Sequence, residues 1–272
     1  MSDLLRDLFG TGQPVIAMMH AGALPGRPRH DAGQGMPPIL DALARDLAVL
    51  QGAGVDGLLF CNEADLPYQL QTGPEVAAAM AALIGELRTA ITRPFGIDVV
   101  WDPVASLAVA RATGASFVRE VVTGVYESDL GLMQPSFGAI KAGQHAIGAE
   151  AVKIFANITP EFASPLGRRT MAERARSAAF LGVDALLITG PITGLPTDLD
   201  ELRAVKAAVP HTPVLASTGV TVDTVARTLA VADGVIVGTH LKRDGVTWNP
   251  VEQARATAFM AAATRARTEM VS

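Results

Sequence analysis

A single cysteine, Cys61, stands in the 272 residues, so no disulfide can form within the chain and a disulfide-stapled scaffold is excluded. Charged residues make up only 18% of the chain and aromatics only 5%. Lys and Arg do not gather into a patch with interleaved aromatics, and the formal net charge is −5, so nucleic acid is not expected as a partner. A membrane-spanning helix needs about 20 consecutive apolar residues. No run approaches that length, so direct membrane insertion is not expected. The opening MSDLLRDLFG is acidic and lacks the basic region, apolar core and cleavage site of a signal peptide. Together these absences predict a cytoplasmic protein. What the chain has instead is Ala, Val, Leu and Gly, with 49% hydrophobic residues overall. That composition suits a parallel sheet covered by helices and argues against disorder.

Short apolar runs alternate with amphipathic stretches from end to end. Eight runs read as strands, near residues 14–20, 55–61, 94–101, 116–122, 150–157, 183–189, 213–217 and 233–238. Helices are predicted between them, over Pro37 to Gln51, Pro74 to Ile91, Pro103 to Ala112, Thr170 to Leu181, Asp198 to Val209, Thr221 to Ala230 and Asn249 to Arg267. Thr170 with Glu173 has the spacing of a capping box. The segment from Val122 to Glu150 is glycine-rich and less regular. Eight strand–helix units with right-handed connections close into a (β/α)8 TIM barrel, expected as a single domain over residues 1–272. An open doubly wound sheet would want a glycine fingerprint near the N-terminus, and none is there.

Two loops carry the clearest functional signal. Ser217-Thr218-Gly219-Val220 follows the seventh strand candidate, and Gly238-Thr239-His240 follows the eighth. Glycine allows close backbone approach to an anion, and backbone N–H groups at such turns bind phosphate. In a TIM barrel these two positions form a phosphate cup. Ser217, Gly219, Gly238 and Thr239 are therefore expected to hold a phosphate.

The active site of this fold lies at the C-terminal ends of the strands. Polar residues read as strand ends are the candidates for catalysis: His20, Glu63, Asp98 and, on the fifth strand, Lys153. Lys153 sits in the apolar run Ala151-Val152-Lys153-Ile154-Phe155, where desolvation would lower its pKa and make it a base or Schiff-base amine. An ion pair with a neighbouring carboxylate is the structural alternative. His20 titrates near neutrality and Glu63 or Asp98 would be its carboxylate partner. Asn62, Arg119, Asn157 and Thr189 are expected to contact substrate. His20, Glu63, Asp98, Asp102, Glu120 and His240 could meet at the mouth, but no metal-ligand spacing is present, so neither a metal nor a cofactor is expected. The long loop from Ala21 to Met36 could close as a lid, with Arg27, Arg29 and His30 over an anion. The Ala-rich outer helices suggest a homo-oligomer.

The run Val15-Ile16-Ala17-Met18-Met19-His20 followed by Leu24-Pro25-Gly26-Arg27-Pro28 resembles the opening of the BtpA/SgcQ family. So do Thr189-Gly190-Pro191 with Thr193-Gly194, Ser217 to Thr221, Ala232-Asp233-Gly234, Ile236 to Thr239 and Leu241 to Gly245. The resemblance spans about residues 10–265. It implies a phosphate-binding TIM barrel. The family's first name comes from photosystem I biogenesis, and other members lie beside carbohydrate-uptake genes. In two places the chain departs from the family pattern. Glu120-Val121-Val122 follows Arg119 where an Asn is common, and Ile158-Thr159-Pro160-Glu161 stands where a Lys-His pair is common. Roles resting on those family residues do not carry over. The expected function is an enzyme on a small phosphorylated substrate, a sugar phosphate or ribosyl compound, by lyase, aldolase or isomerase chemistry. The alternative is a non-catalytic assembly or stability factor for a membrane protein complex such as photosystem I.

Overall fold

Eight parallel strands close into a barrel in the order β1-β11-β10-β9-β7-β4-β3-β2. The strands are β1 (Val15–His20), β2 (Gly57–Cys61), β3 (Phe95–Asp98), β4 (Phe117–Glu120), β7 (Lys153–Asn157), β9 (Ala185–Thr189), β10 (Val214–Ser217) and β11 (Val235–Val237). The computed structural model describes residues 3–190, 192 and 195–269. The single (β/α)8 barrel predicted from the alternation is thus the architecture found. Between strands run α2 (Pro37–Gly52), α3 (Pro74–Leu87), α4 (Pro103–Thr113), α5 (Phe137–Ala146), α6 (Met171–Phe180), α7 (Leu199–Ala208) and α8 (Val225–Leu229), and α9 (Gln253–Glu269) closes the ring.

Local chemistry fixes the helix starts. Thr170 and Glu173 form the predicted capping box on α6. Asp102 caps α4, its Oδ1 accepting from Ala105 N–H at 3.0 Å. Its Oδ2 accepts from Thr72 N–H and Oγ1 at 2.7 and 2.9 Å, so Asp102 ties two loops together. The expected helix from Thr221 begins only at Val225, because Thr221 and Thr224 bond each other in a turn first.

Four elements escaped the sequence reading, one of them α5, in the stretch read as less regular. Helix α1 (Leu4–Phe9) plugs the N-terminal end of the barrel. Its Phe9 meets Phe117 edge-on at 5.6 Å, and Phe117 stacks on Phe155 at 4.7 Å. Gly57 and Gly96 make room for them: a Cβ would come within 2.6 Å of Phe9 and 2.4 Å of Phe117 respectively. A small antiparallel sheet of β5 (Tyr126–Ser128), β6 (Gly131–Met133) and β8 (Ala163–Pro165) grows from the loops after β4 and β7, in the order β6-β5-β8. The segment after β11 is pinned by Lys242, almost fully buried, whose Nζ donates to Asp46 of α2 at 2.6 Å.

Period-2 alternation splits the apolar residues into two cores. One face of each strand packs on the helices. The other fills the barrel with Ile16, Met18, Leu59, Phe117, Phe155, Leu187, Leu215 and Ile236. The plug and this apolar filling seal one end, so only the strand C-termini remain open for chemistry.

Candidate active site at the C-terminal mouth

A cavity of about 270 Å3 opens at the strand C-termini. On one side lie the two glycine loops. Ser217 to Thr221 and Gly238 to His240 both line it. They touch each other: Val222 N–H donates to His240 Nε2 at 3.1 Å. Arg255 of α9 completes this side, its Nε donating to the His240 carbonyl at 2.7 Å. Thr218 (φ 68°) and Gly219 (φ 64°) both turn left-handed. A Cβ on Gly219 would come within 2.3 Å of the Leu195 carbonyl carbon, so only glycine fits there. The backbone N–H groups of Gly219, Val220, Gly238 and Thr239 donate to no acceptor among the described residues. The Ser217 hydroxyl is buried and without a partner among them. Buried polar groups normally find partners, so these donors are available to a ligand.

Across the ring, on or just after β2, β3, β4 and β7, lie Glu63, Asp98, Arg119, Glu120, Asn157 and Glu161. Arg119 is the hub. Its Nη1 stands 3.5 Å from Asp98 Oδ2, and its Nη2 donates to Glu161 at 3.1 and 3.4 Å. Burial pushes the Asp98 carboxyl up to about 7; Arg119 pulls against that, and Glu63 and Glu161 add to it. Glu63 is likewise raised, burial first, with Arg119 opposing. Glu120, on the outer face of β4, accepts from Ser106 Oγ at 2.5 Å and is pushed well up by burial and then by Asp98. The His20 ring lies against Gly238, where a Cβ would meet its Cε1 at 2.9 Å. Burial, then Lys242 and Arg119, push its pKa down to about 3, so the imidazole is neutral. Its Nδ1 has no partner among the described residues.

Of the residues predicted from the sequence, His20, Glu63, Asp98, Arg119, Asn157, Ser217, Gly219, Gly238 and Thr239 all line this cavity. Three predictions are corrected. Lys153 opens β7 rather than ending it, so it lies at the opposite rim, half-exposed, with Nζ 3.4 Å from Asp184. Asn62 does not line the cavity. Its Nδ2 donates to Asp65 and its Oδ1 accepts from Val100 N–H, both at 2.8 Å, which ties two strand ends together. Thr189 bonds Thr159 across the gap between β7 and β9 and does not line the cavity either.

The expected lid residues are also engaged elsewhere. Arg27 donates to Gln69 Oε1 at 2.8 Å, His30 Nδ1 bonds the Ala23 carbonyl at 2.8 Å, and Arg29 lies over Trp248. Pro191, Thr193 and Gly194 of the quoted motif lie outside the described residues.

Glu161, Tyr68, Trp101 and Arg255 also stand on the cavity wall and were not expected there from the sequence. Glu161 was visible as the acid four residues beyond Asn157. Asn157 holds it in place, its Oδ1 accepting from Thr159 N–H at 3.0 Å and its Nδ2 3.5 Å from Glu161 Oε2.

Fold and site together define the class: a closed parallel (β/α)8 barrel whose open end joins two glycine loops to a ring of buried ionisable groups. The BtpA family model matches residues 11–265, and the chain belongs to the BtpA family. It is 47% identical to the sgc region protein SgcQ of Escherichia coli, over 94% of this chain and 96% of that one. It is 30% identical to the photosystem I biogenesis protein BtpA of Synechocystis sp., over 95% and 90% of the two chains. Among solved structures it is similar to (S)-3-O-geranylgeranylglyceryl phosphate synthase from Thermoplasma acidophilum in complex with sn-glycerol-1-phosphate, with TM-score 0.63, 15% identity and 97% of each chain covered. A structure named native KDPGal aligns with TM-score 0.58, 17% identity and 97% and 98% coverage. At those identities the likeness speaks for the fold.

Proposed function

We propose that this protein is an enzyme acting on a small phosphorylated substrate, such as a sugar phosphate or ribosyl compound, by proton-transfer chemistry of the isomerase or lyase kind. One observation carries the reading. The unpartnered Ser217 hydroxyl and the two glycine loops share a cavity with Asp98, a carboxyl balanced near neutral pH. The loops would take the phosphate, with Ser217, Gly219, Gly238 and Thr239 donating to it. Asp98 would pass the proton, since a group whose pKa lies near the working pH both accepts and releases one. Arg119, between Asp98 and Glu161, would hold both carboxyls in position. His20, neutral, would donate or accept a hydrogen bond. No lysine is among the described residues of the cavity wall, which disfavours a Schiff-base aldolase. The Thermoplasma structure, a phosphate synthase with a bound glycerol phosphate, is consistent with such a ligand.

Thermal melting tests the reading. Inorganic phosphate should raise the melting temperature, and Ser217→Asp, which sets a carboxylate where the anion would sit, should abolish the rise. An equal rise in wild type and variant would contradict the loop assignment. Gly219 is a poor probe, because any side chain there collides with the Leu195–Pro196 backbone.

A cytoplasmic location and self-association go with this reading. No helix among the described residues is long and apolar enough to cross a membrane. Light scattering of the purified protein should give a mass above that of one chain; a monomer at all concentrations would end the oligomer expectation. A second reading, an assembly or stability factor, draws on the name of the cyanobacterial relative and on the exposed Leu132, Phe162 and Leu166 around the small sheet. The buried ionisable groups have no part in that reading.

A further inference from the structure

Charge is divided unevenly across the cavity. The side formed by β10 and β11 offers backbone donors, Ser217, Thr239 and Arg255. The side formed by β2, β3, β4 and β7 turns three carboxyls inward, Glu63, Asp98 and Glu161, against one cation, Arg119. In the closed strand order β10 and β11 stand diametrically opposite β3 and β4. Arg119 is not free to meet a substrate anion. Its two terminal nitrogens are already directed at Asp98 and Glu161. His20, the neighbouring base, lies in a setting of burial and cations that opposes its charging. A second anion at that end would be desolvated among carboxylates with no cation to receive it, and like charges so placed repel strongly. Hydroxyl, carbonyl and amino groups meet the opposite situation. Carboxyl groups bond hydroxyls in either protonation state, and ionised ones attract an ammonium.

We infer that the substrate is singly anionic in this sense: a phosphate ester whose far end carries hydroxyl, carbonyl or amino groups and no carboxylate. The inference rests on the phosphate reading above and narrows it. Phosphorylated polyols, aldoses, ketoses and amino sugars fit. Phosphorylated sugar acids do not.

Calorimetry at about pH 8, where carboxyls at that end are most ionised, separates the two. The probes are inorganic phosphate, glycerol 1-phosphate against 3-phosphoglycerate, and erythritol 4-phosphate against 4-phosphoerythronate. Each ester should bind at least about tenfold more tightly than its matched acid. Glu63→Gln removes a carboxylate that is not paired with Arg119, so it should narrow that gap, with the ligand-free melting temperature reporting that the variant folds. If phosphate binds and the acids bind as tightly as the esters, the inference is overturned while the phosphate reading stands. If phosphate, both esters and both acids fail to bind, the phosphate reading fails and the inference with it.

Discussion

Asp98 and His20 face one cavity, and burial moves them in opposite directions. The uncharged form of each is favoured, so the acid rises to about 7 and the base falls to about 3. The signs of the stability effects follow. Between pH 3.8 and 7 native Asp98 binds more proton than unfolded Asp98, so its contribution is complete at low pH and fades as pH rises through 7. Asp98→Asn stays neutral, so its melting temperature relative to wild type should improve from pH 5 to pH 8. In wild type a carbon-13 carboxyl resonance should titrate near 7 and vanish in the variant. A carboxyl titrating near 4 would contradict the proton-transfer role. For His20 the window is about 3 to 6.5, where the unfolded chain binds more proton, so stability falls as the solution is acidified. The ring opens on the cavity, and water there moderates the effect without reversing it. Proton NMR should show the His20 ring unchanged between pH 5 and 8.

At the scale of elements, much of the barrel was legible because alternation, glycine punctuation and capping chemistry are local. Asp98, Arg119 and Ser217 were found because each is the polar residue that follows an apolar run. Lys153 misled for a definable reason. Lys153 and Asn157 share a strand face, but four residues span about 13 Å at 3.3 Å each. Period alone places a residue on a face and says nothing of its depth along the strand. The small sheet of β5, β6 and β8 escaped because three-residue strands are too short for a period to show, and β8 joins β5 across a sequence gap. Glu161 escaped with it, since it precedes β8 in an irregular loop. The segment after β11 makes a separate prediction. Asp46 bonds both Lys242 Nζ and Val251 N–H. Asp46→Ala strands a buried ammonium and should destabilise by about 3–5 kcal/mol, read from urea unfolding. A loss under about 1 kcal/mol would mean the pair is solvated.

For the whole molecule, stability and chemistry occupy opposite ends of one cylinder. The plug made by α1 closes the N-terminal end with Phe9 against Phe117 and Phe155. Phe9→Ala should cost about 3–5 kcal/mol on denaturant unfolding, yet leave phosphate affinity unchanged, because the glycine loops lie at the other end. A matching loss of phosphate affinity would show the two ends to be coupled.

Thr218 bends left-handed although it carries a branched side chain, a conformation that disfavours the folded state by about 1–3 kcal/mol. In return its hydroxyl accepts the Gly190 N–H at 2.8 Å and clasps the end of β9 to the loop after β10. A laboratory population bred only for survival at high temperature would drift to glycine at this position and lose the clasp. One bred for a closely held loop would keep threonine. The codon at 218 is therefore where heat tolerance and the tie between β9 and the loop after β10 compete.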